Sequence, residues 1–198
     1  MEDRIRLLER RAIDEIIILD VSGMAPRFDE IKQLCEPLFC PITIGGGIKN
    51  VADIKRLLAG GADKVAINSM AIQRPEFIRE ASERFGAQAI TVCINCPQDD
   101  PAAFAAKMEH HGAGEILLTS IDRDGTLEGY DLDLIREVST AVGIPVIACG
   151  GCGSYEDMQS AIDAGAHAVA VGALFQFREA TPKGAARYLC DHGIPARL

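Results

Sequence analysis

A short apolar run that ends abruptly in acids and glycine is the feature that most constrains this chain. Residues 116–121 read Ile-Leu-Leu-Thr-Ser-Ile, and Asp122, Arg123, Asp124 and Gly125 follow directly. Buried parallel strands are continuous apolar runs, and they place polar loops at their carboxyl ends. Similar runs end near residues 20, 45, 68, 95, 150 and 172. The pattern therefore predicts an α/β fold with a parallel sheet.

These runs occur in the same order in both halves of the chain, as an internal sequence repeat. A run ending in Gly45-Gly46-Gly47 and one ending in Asn68-Ser69 are matched downstream by Gly150-Gly151-Cys152-Gly153 and Gly172-Ala173. Strands that alternate with helices through short loops specify right-handed βα units. We predict the TIM-type (βα)8 barrel family, here with seven βα strands and the N-terminal strand missing. Residues 1–198 would form a single domain of two half-barrel repeats, at about 12–95 and 112–198.

Hydrophobic periodicity and the positions of glycine and proline set the predicted elements. The predicted strands are residues 16–19, 41–44, 64–67, 89–94, 115–120, 145–149 and 168–171. The predicted helices are residues 3–11, 28–38, 51–58, 75–85, 102–111, 132–142, 156–164 and 184–192.

Composition disfavours several classes of protein. A chain of 198 residues with 48% hydrophobic content can bury the core of one domain. The net charge of -9 disfavours binding to nucleic acid or to anionic membranes, because both need clustered Lys and Arg. No apolar run approaches a membrane span, and the N-terminus is unlike a signal peptide. We expect a soluble cytoplasmic protein.

Seven cysteines without a secretion signal favour reduced thiols over a disulfide framework. Cys93 with Cys96, and Cys149 with Cys152, have the C-x-x-C spacing of a four-thiolate zinc site. The two pairs are far apart in sequence, and Cys149 lies in a predicted strand where a small apolar residue fits. We therefore favour structural thiols and expect neither a metal nor a cofactor.

Glycine-rich turns after two of the predicted strands suit phosphate binding. Glycine lets the backbone approach an anion, and the helix that follows adds its N-terminal N–H groups and dipole. One such turn is weak evidence, because tight turns after strands are common without any ligand. Two turns at equivalent places would face one another across the barrel mouth. They predict a ligand with a phosphate at both ends.

Polar residues at other strand ends are candidates for proton transfer. Asn95 ends the fourth predicted strand, and Asp122 and Asp124 follow the fifth. A carboxylate at a barrel mouth can act as a general acid or base. Asp122 could equally pair with Arg123 or cap a turn. Asp124 is the better functional candidate.

Charged residues stand at or near the opposite ends of three strands. They are Glu15, Lys64 and Glu115. Such a group at the bottom of a parallel barrel is usually a salt-bridged plug that closes the core. The alternative function is a gate.

Residues 112–126, Gly-Ala-Gly-Glu-Ile-Leu-Leu-Thr-Ser-Ile-Asp-Arg-Asp-Gly-Thr, with Gly-Tyr-Asp at 129–131, resemble the cyclase subunit of imidazole glycerol phosphate synthase, a histidine-biosynthesis enzyme. The resemblance runs from about residue 5 to the end and includes residues 44–48, 61–69, 85–89 and 192–198. It implies a barrel built by duplication and a bisphosphorylated small-molecule substrate. It also implies ammonia supplied by a glutaminase subunit docked at the barrel bottom.

The resemblance also implies roles for individual residues. One phosphate would be held by Gly46, Gly47, Asn68 and Ser69, and the other by Asp124, Gly125, Gly151, Gly172 and Ala173. Glu15, Lys64 and Glu115 match three of the four charged residues that gate the family's ammonia passage. The fourth, an arginine on the family's first strand, is missing.

Departures from the family concern the catalytic residues. The family's first strand and its loop carry a catalytic aspartate and a substrate-binding lysine, and the chain starts beyond both. The second catalytic aspartate is replaced by Asn95, and the insertion after that strand is reduced to residues 96–101. An amide cannot exchange a proton near neutral pH. We therefore expect the ammonia-dependent ring closure and cleavage to be weak or lost.

Two alternatives remain open at this point. The chain could be a non-catalytic scaffold that binds a bisphosphate or a glutaminase, or a paralogue that amidates a sugar nucleotide, although no residue points to that substrate. A barrel that lacks one strand has two unpaired edges, so we also expect a homo-oligomer that covers them.

Overall fold

Short strands and helices alternate along the computed structural model, which describes residues 13–36, 38–96 and 100–197. The described residues form seven strands and nine α-helices, and a 3-10 turn covers Ala87–Ala89. The strands are β1 (Ile16–Leu19), β2 (Ile42–Gly45), β3 (Lys64–Ile67), β4 (Ile90–Cys96), β5 (Glu115–Ser120), β6 (Val146–Cys149) and β7 (Ala168–Ala170). The helices are α1 (Phe28–Cys35), α2 (Val51–Ala59), α3 (Ser69–Gln73), α4 (Glu76–Phe85), α5 (Pro101–His110), α6 (Leu132–Ala141), α7 (Tyr155–Asp163), α8 (Ala173–Phe177) and α9 (Pro182–Asp191).

The predicted alternation of strands and helices is confirmed. β1, β3 and β5 have the predicted bounds, and the other strands differ from prediction by one or two residues at an end. The predicted helix at residues 28–38 ends earlier, at Cys35. Two short helices, α3 and α8, were not predicted, because five residues are too few for a periodic pattern. The predicted helix at residues 3–11 lies outside the described residues.

The described residues divide into two compact units. The first contains the described residues up to Cys93 together with Lys107–Glu115, and the second contains Ile94–Ala106 and the described residues from Ile116 onward. In the first unit β1, β2, β3 and the start of β4 pair in parallel in that order. In the second unit β5, β6 and β7 do the same.

The two units repeat the same backbone geometry where their strands begin. The N–H of Ile16 donates to the carbonyl oxygen of Pro41 at 3.0 Å in the first unit. In the second, the N–H of Ile116 donates to that of Pro145 at 2.9 Å. Ile16 pairs with Ile42, and Ile116 with Val146, so the register is the same in both units.

Each unit has its own apolar core beneath its strands. In the first unit, Ile44 of β2 and Ile54 and Leu57 of α2 are all buried. In the second, Leu117 of β5 and Val138 of α6 are buried. Full burial of such a side chain stabilises the fold by about 1.5–3 kcal/mol, so the strands hold the loops at their ends on a rigid base.

Two glycines that precede strands are in close contact with a helix. Gly112 (φ 92°) comes before β5, and Gly165 (φ 110°) comes before β7. A Cβ at Gly112 would collide with the hydroxyl of Ser82 on α4, and one at Gly165 with that of Ser139 on α6. The helices can therefore approach the strand starts closely.

His111, which follows α5, is a buried polar side chain with one ring nitrogen that lacks a hydrogen-bond partner among the described residues. Its Nδ1 makes no hydrogen bond to any residue in the described part of the chain. Burial lowers the pKa of the imidazole from 6.5, and the positive charge of Arg79 adds to this, against the opposing charge of Glu76. The folded protein therefore favours neutral His111.

Among the described residues, every helix is too short or too polar to cross a membrane. Those residues also contain no cluster of three or more His, Cys, Asp or Glu side chains with the geometry of a metal site.

The unfolding free energy is expected to fall as the pH is lowered from about 7 to about 5. The reason is that the unfolded chain protonates His111 at its ordinary pKa of 6.5, whereas the folded chain resists protonation. The loss begins near that value and stops below the lowered pKa of the folded state. Urea unfolding of His111→Gln at several pH values should show a smaller slope than the parent.

Candidate functional site

The first unit carries a tight glycine turn at the end of β2. Gly46 (φ 109°) and Gly47 (φ 66°) are in the left-handed region that favours glycine. A Cβ at Gly46 would collide with the carbonyl oxygen of Asp20, and one at Gly47 with that of Met24. The turn therefore lies directly against the loop that follows β1.

The backbone donors of this turn are open. Within the described ranges, the N–H groups of Gly46 and Gly47 make no hydrogen bond to the protein. The turn is fixed from behind by α2, where Asp53 accepts the N–H of Lys49 at 3.0 Å and the side chain of Asn50 caps the helix at 3.0 Å. Two successive open N–H groups on a fixed turn form a concavity that can bind an anion.

Asn68 and Ser69 follow β3, which pairs with β2 through Gly45 and Ala66. They therefore lie just beyond the end of the strand next to β2, where α3 begins. The side chain of Asn68 donates to the carbonyl oxygen of Cys93 at 2.9 Å, so one of its two amide hydrogens is already used. Ser69 is exposed.

The second unit has an equivalent turn after β6. Gly150 (φ 92°) and Gly151 (φ 101°) are also in the left-handed region. A Cβ at Gly151 would collide with the carbonyl oxygen of Gly129. The N–H of Gly129 donates to the carbonyl oxygen of Gly151 at 2.8 Å, so the long loop after β5 is attached to this turn.

The same capping arrangement supports the second turn. The hydroxyl of Ser154 accepts the N–H of Asp157 at 3.2 Å and caps α7. Asp157 in return accepts the N–H of Gly153 at 2.9 Å. Both glycine turns are thus held by an acid in the first turn of the next helix.

Asp124 and Gly125 lie on the loop that follows β5. Asp124 is exposed, and its N–H donates to the carbonyl oxygen of Ile121 at 3.2 Å. Its Cα is 3.5 Å from where a Cβ of Gly150 would be, so the structure brings Asp124 to the second glycine turn. Gly125 (φ 77°) has open space around it.

Gly172 and Ala173 follow β7, which pairs with β6 through Cys149 and Ala170. Gly172 has φ -114° and ψ -73°, close to the -117° and -79° of Asn68. A Cβ at Gly172 would meet nothing within 4 Å. Glycine is therefore not needed there for steric reasons, and its effect is to leave space above the strand end.

Asn95 lies near the end of β4 and is exposed. In the described residues, no hydrogen bond joins it to Asp124. Asp122 is also exposed and forms no ion pair within the described part of the chain. The ion pair between Asp122 and Arg123 that we considered is not formed, because the Arg123 guanidinium is directed at the carbonyl oxygen of Gly129 at 3.5 Å.

The thiols of Cys149 and Cys152 are disfavoured as thiolates. Burial raises the pKa of Cys149, and the charge of Asp124 adds to this, against a hydrogen bond to Thr119. Burial raises the pKa of Cys152 to about 11, aided by the charge of Asp157. Thiolates are the species that bind zinc or act as nucleophiles, so this pair suits a structural role.

A cleft of about 370 Å³ opens beside the loop after β5 in the second unit. It is polar and contains both acids and arginines, and none of the predicted site residues lines it. The lining residues are Arg123, Glu128, Gly129, Tyr130, Asp131, Leu132, Asp133, Arg136, Asp157 and Ser160.

Glu15, Lys64 and Glu115 meet at the strand starts of the first unit, as predicted. The ammonium of Lys64 is 3.0 Å from a carboxylate oxygen of Glu15 and 2.9 Å from one of Glu115. Burial alone would lower the pKa of Lys64, but the hydrogen bonds and charges of Glu115 and Glu15 outweigh it and raise the pKa. Lys64 is therefore a stable cation between two anions.

Two residues near these sites were missed by the sequence analysis. Thr91 of β4 donates its hydroxyl to Glu115 at 2.6 Å. Tyr130 is buried and donates its hydroxyl to the carbonyl oxygen of Ala170 at 3.1 Å, which ties the loop after β5 to β7. The signal for Thr91 was a single hydroxyl within the apolar run of β4. Tyr130 had no comparable signal.

Comparison with known proteins assigns this arrangement to a family. Residues 2–181 match the family model of histidine biosynthesis proteins. The chain belongs to this family. It is also 42% identical over 213 residues to imidazole glycerol phosphate synthase subunit HisF from Clostridium botulinum (strain Okra / Type B1), with 96% of this chain and 84% of the relative covered.

The chain is therefore a homologue of HisF, the cyclase subunit of imidazole glycerol phosphate synthase in histidine biosynthesis. Its α/β fold is that of the TIM-type barrel family. The aligned stretch of 213 residues is longer than the 198 residues of the chain, so part of the relative has no counterpart here.

Gly151→Ala is expected to destabilise the HisF homologue by about 2 kcal/mol or more, because the new Cβ would collide with the Gly129 carbonyl and displace the loop after β5. Gly125→Ala is the matched control, since Gly125 also has positive φ but has open space around it. The control should cost about 1 kcal/mol, from backbone conformation alone. Urea unfolding measures both, and equal losses would show that the close approach at Gly151 carries no energy.

Proposed function

We propose that this HisF homologue binds a bisphosphorylated ribonucleotide at its two glycine turns and has weak or no ring-closing and cleaving activity. The observation that carries the proposal is that each unit has a turn with two successive glycines at positive φ, Gly46-Gly47 and Gly150-Gly151, together with an amide at Asn95. The turns support binding, and the amide argues against catalysis.

The first phosphate would bind at the turn after β2. The N–H groups of Gly46 and Gly47 would donate to phosphate oxygens, because they have no other acceptor among the described residues. The remaining amide hydrogen of Asn68 and the hydroxyl of Ser69 would complete the site from the neighbouring strand.

The second phosphate would bind at Gly151, Gly172 and Ala173, with Gly125 on the loop above. Gly172 leaves the space that a side chain would otherwise fill. Asp124 has a different part in the proposal, because its N–H is already donated to Ile121 and its carboxylate would repel a phosphate. Its side chain would instead accept a proton or a hydroxyl hydrogen of the substrate.

Catalysis is limited in this proposal by the amide at Asn95, where the family has a carboxylate. Ring closure and cleavage need a general acid and a general base on the same substrate. Asp124 supplies one carboxylate, but Asn95 can neither give up nor take a proton near neutral pH. The protein would then bind the substrate but convert it very slowly.

A glutaminase subunit is the partner that we propose for the charged cluster at Glu15, Lys64 and Glu115. The relative is named as a subunit of a synthase. A cation held between two carboxylates at the strand starts could open and close a path for ammonia, or close the core as a plug. A non-catalytic scaffold that binds a glutaminase is the second candidate function, and this cluster is the observation that favours it.

Self-association is a further part of the proposal. In the second unit β7 pairs only with β6 among the described strands of that unit, and Ala168 is exposed. An exposed strand edge can pair with another chain. We also propose that residues 1–198 are one domain of two half-barrel repeats, at about 12–95 and 112–198.

Calorimetric titration should show that a bisphosphorylated ribonucleotide binds. Gly47→Ala is expected to weaken binding by about tenfold or more, because the turn must shift away from Met24. Gly193→Ala, at a positive-φ glycine with open space beyond α9, is the control and should bind as the parent does. No heat of binding with the parent protein would overturn the proposed site.

Turnover of the same substrate with ammonia should be very slow and should rise by roughly 10²-fold in Asn95→Asp, where a carboxylate is restored. Asn95→Ala, which supplies no carboxylate, should show no gain. Product formation followed spectroscopically under single-turnover conditions measures all three proteins. A fast parent enzyme would show that Asn95 does not limit catalysis.

A further inference from the structure

We propose that Thr91 is a positioning residue for the charged cluster of Glu15, Lys64 and Glu115. Its hydroxyl fixes the Glu115 carboxylate. When the cluster opens, the Lys64 ammonium therefore remains bound to Glu115 and its ion pair with Glu15 breaks. The functional meaning rests on the proposed ammonia gate, but the contacts that carry the inference do not.

Thr91 is the polar residue in an apolar stretch of β4, between Ile90 and Val92. The whole residue is 0% exposed. A buried hydroxyl without a partner is costly, so its hydrogen bond must be maintained in the folded state. That bond goes to Oε1 of Glu115 and is 2.6 Å long, which is typical of a hydroxyl that donates to a charged carboxylate.

The two oxygens of Glu115 have separate donors. Oε1 accepts from Thr91 at 2.6 Å, and Oε2 accepts from Lys64 at 2.9 Å. Two donors from different strands fix both the position and the rotation of the carboxylate. The side chain of Glu115 is 13% exposed, so water competes little for these bonds.

Glu15 holds the same ammonium more loosely. Both of its oxygens face Lys64, at 3.0 and 3.3 Å. Its side chain is 40% exposed, and exposed ion pairs contribute little to stability. Glu15 also precedes β1, just as Glu115 begins β5, so the difference between the two acids comes from the buried neighbour, Thr91.

The order of release follows from this asymmetry. When the cluster opens, the contact between Lys64 and Glu15 breaks first, and the ammonium stays on Glu115. Without the Thr91 hydroxyl, Glu115 would rotate toward water and Lys64 would lose its fixed partner. Thr91 thus acts through Glu115, and in the described structure its hydroxyl makes no hydrogen bond to Lys64 itself.

NMR titration of ¹³C-methylated lysine amines tests this inference, with the Lys64 signal assigned by its absence in Lys64→Arg. Thr91→Val removes the hydroxyl at nearly constant volume and should lower the pKa of Lys64, because Glu115 no longer holds the ammonium as well. At a fixed pH below that pKa, acylation of Lys64 should become about 2-fold faster or more. Thr91→Ser keeps the hydroxyl and should restore the parent titration.

Thr43→Val is the matched control. Thr43 is a buried threonine of β2 in register with Lys64, and its hydroxyl has no hydrogen bond to the cluster in the described residues. It should leave Lys64 unchanged. Equal shifts in both valine variants, or no shift in Thr91→Val, would overturn the inference. If Thr91→Val does not fold, Thr91→Ala gives the same readout.

A second arm separates the inference from the proposed gate. In a Glu115→Gln background, Thr91→Val should add little to the shift of Lys64, since Thr91 acts through the Glu115 charge. Glutamine hydrolysis and ammonia release with a glutaminase subunit bound report the gate itself. If the Lys64 titration changes while ammonia transfer does not, Thr91 positions the cluster but the cluster is no gate.

Discussion

The close approach of glycine turns to neighbouring loop carbonyls is the constraint on which the functional sites depend. Gly46 and Gly47 lie against the loop after β1, and Gly151 lies against the loop after β5, at distances that no side chain allows. Capped helices fix each turn from the other side, so each turn keeps its backbone conformation without help from a ligand. The proposed anion sites would therefore need no basic side chain, which agrees with the net charge of -9.

The sequence alone predicted the alternation of strands and helices and nearly all their positions. Apolar runs bounded by glycine and proline are local signals, and local signals suffice for these elements. The helices α3 and α8 were not predicted, because a helix of five residues is too short to show a hydrophobic period. The hydrogen bonds of Thr91 and Tyr130 were not predicted, because each joins residues that are far apart in the sequence. The glycine turns were predicted because the pattern occurs in both halves of the sequence. Their close approach to Asp20, Met24 and Gly129 is a property of the folded chain that no local pattern indicates.

Binding and catalysis separate clearly in this chain. The proposed anion turns would bind through backbone atoms, so they would persist through most substitutions as long as the glycines remain. Proton transfer would depend on single carboxylates, and the amide of Asn95 cannot take the part of one. The charged cluster of Glu15, Lys64 and Glu115 is a third, independent device, located at the strand starts of the first unit.

Gly172 shows how far the two halves of the chain can diverge. Its backbone angles match those of Asn68, and the space around it would admit a side chain without a collision. Packing therefore does not prevent the substitution of Gly172 by a residue with a side chain. If the proposed phosphate binds there, the bound ligand is what would favour glycine, and the difference between the two halves would follow the shape of the ligand.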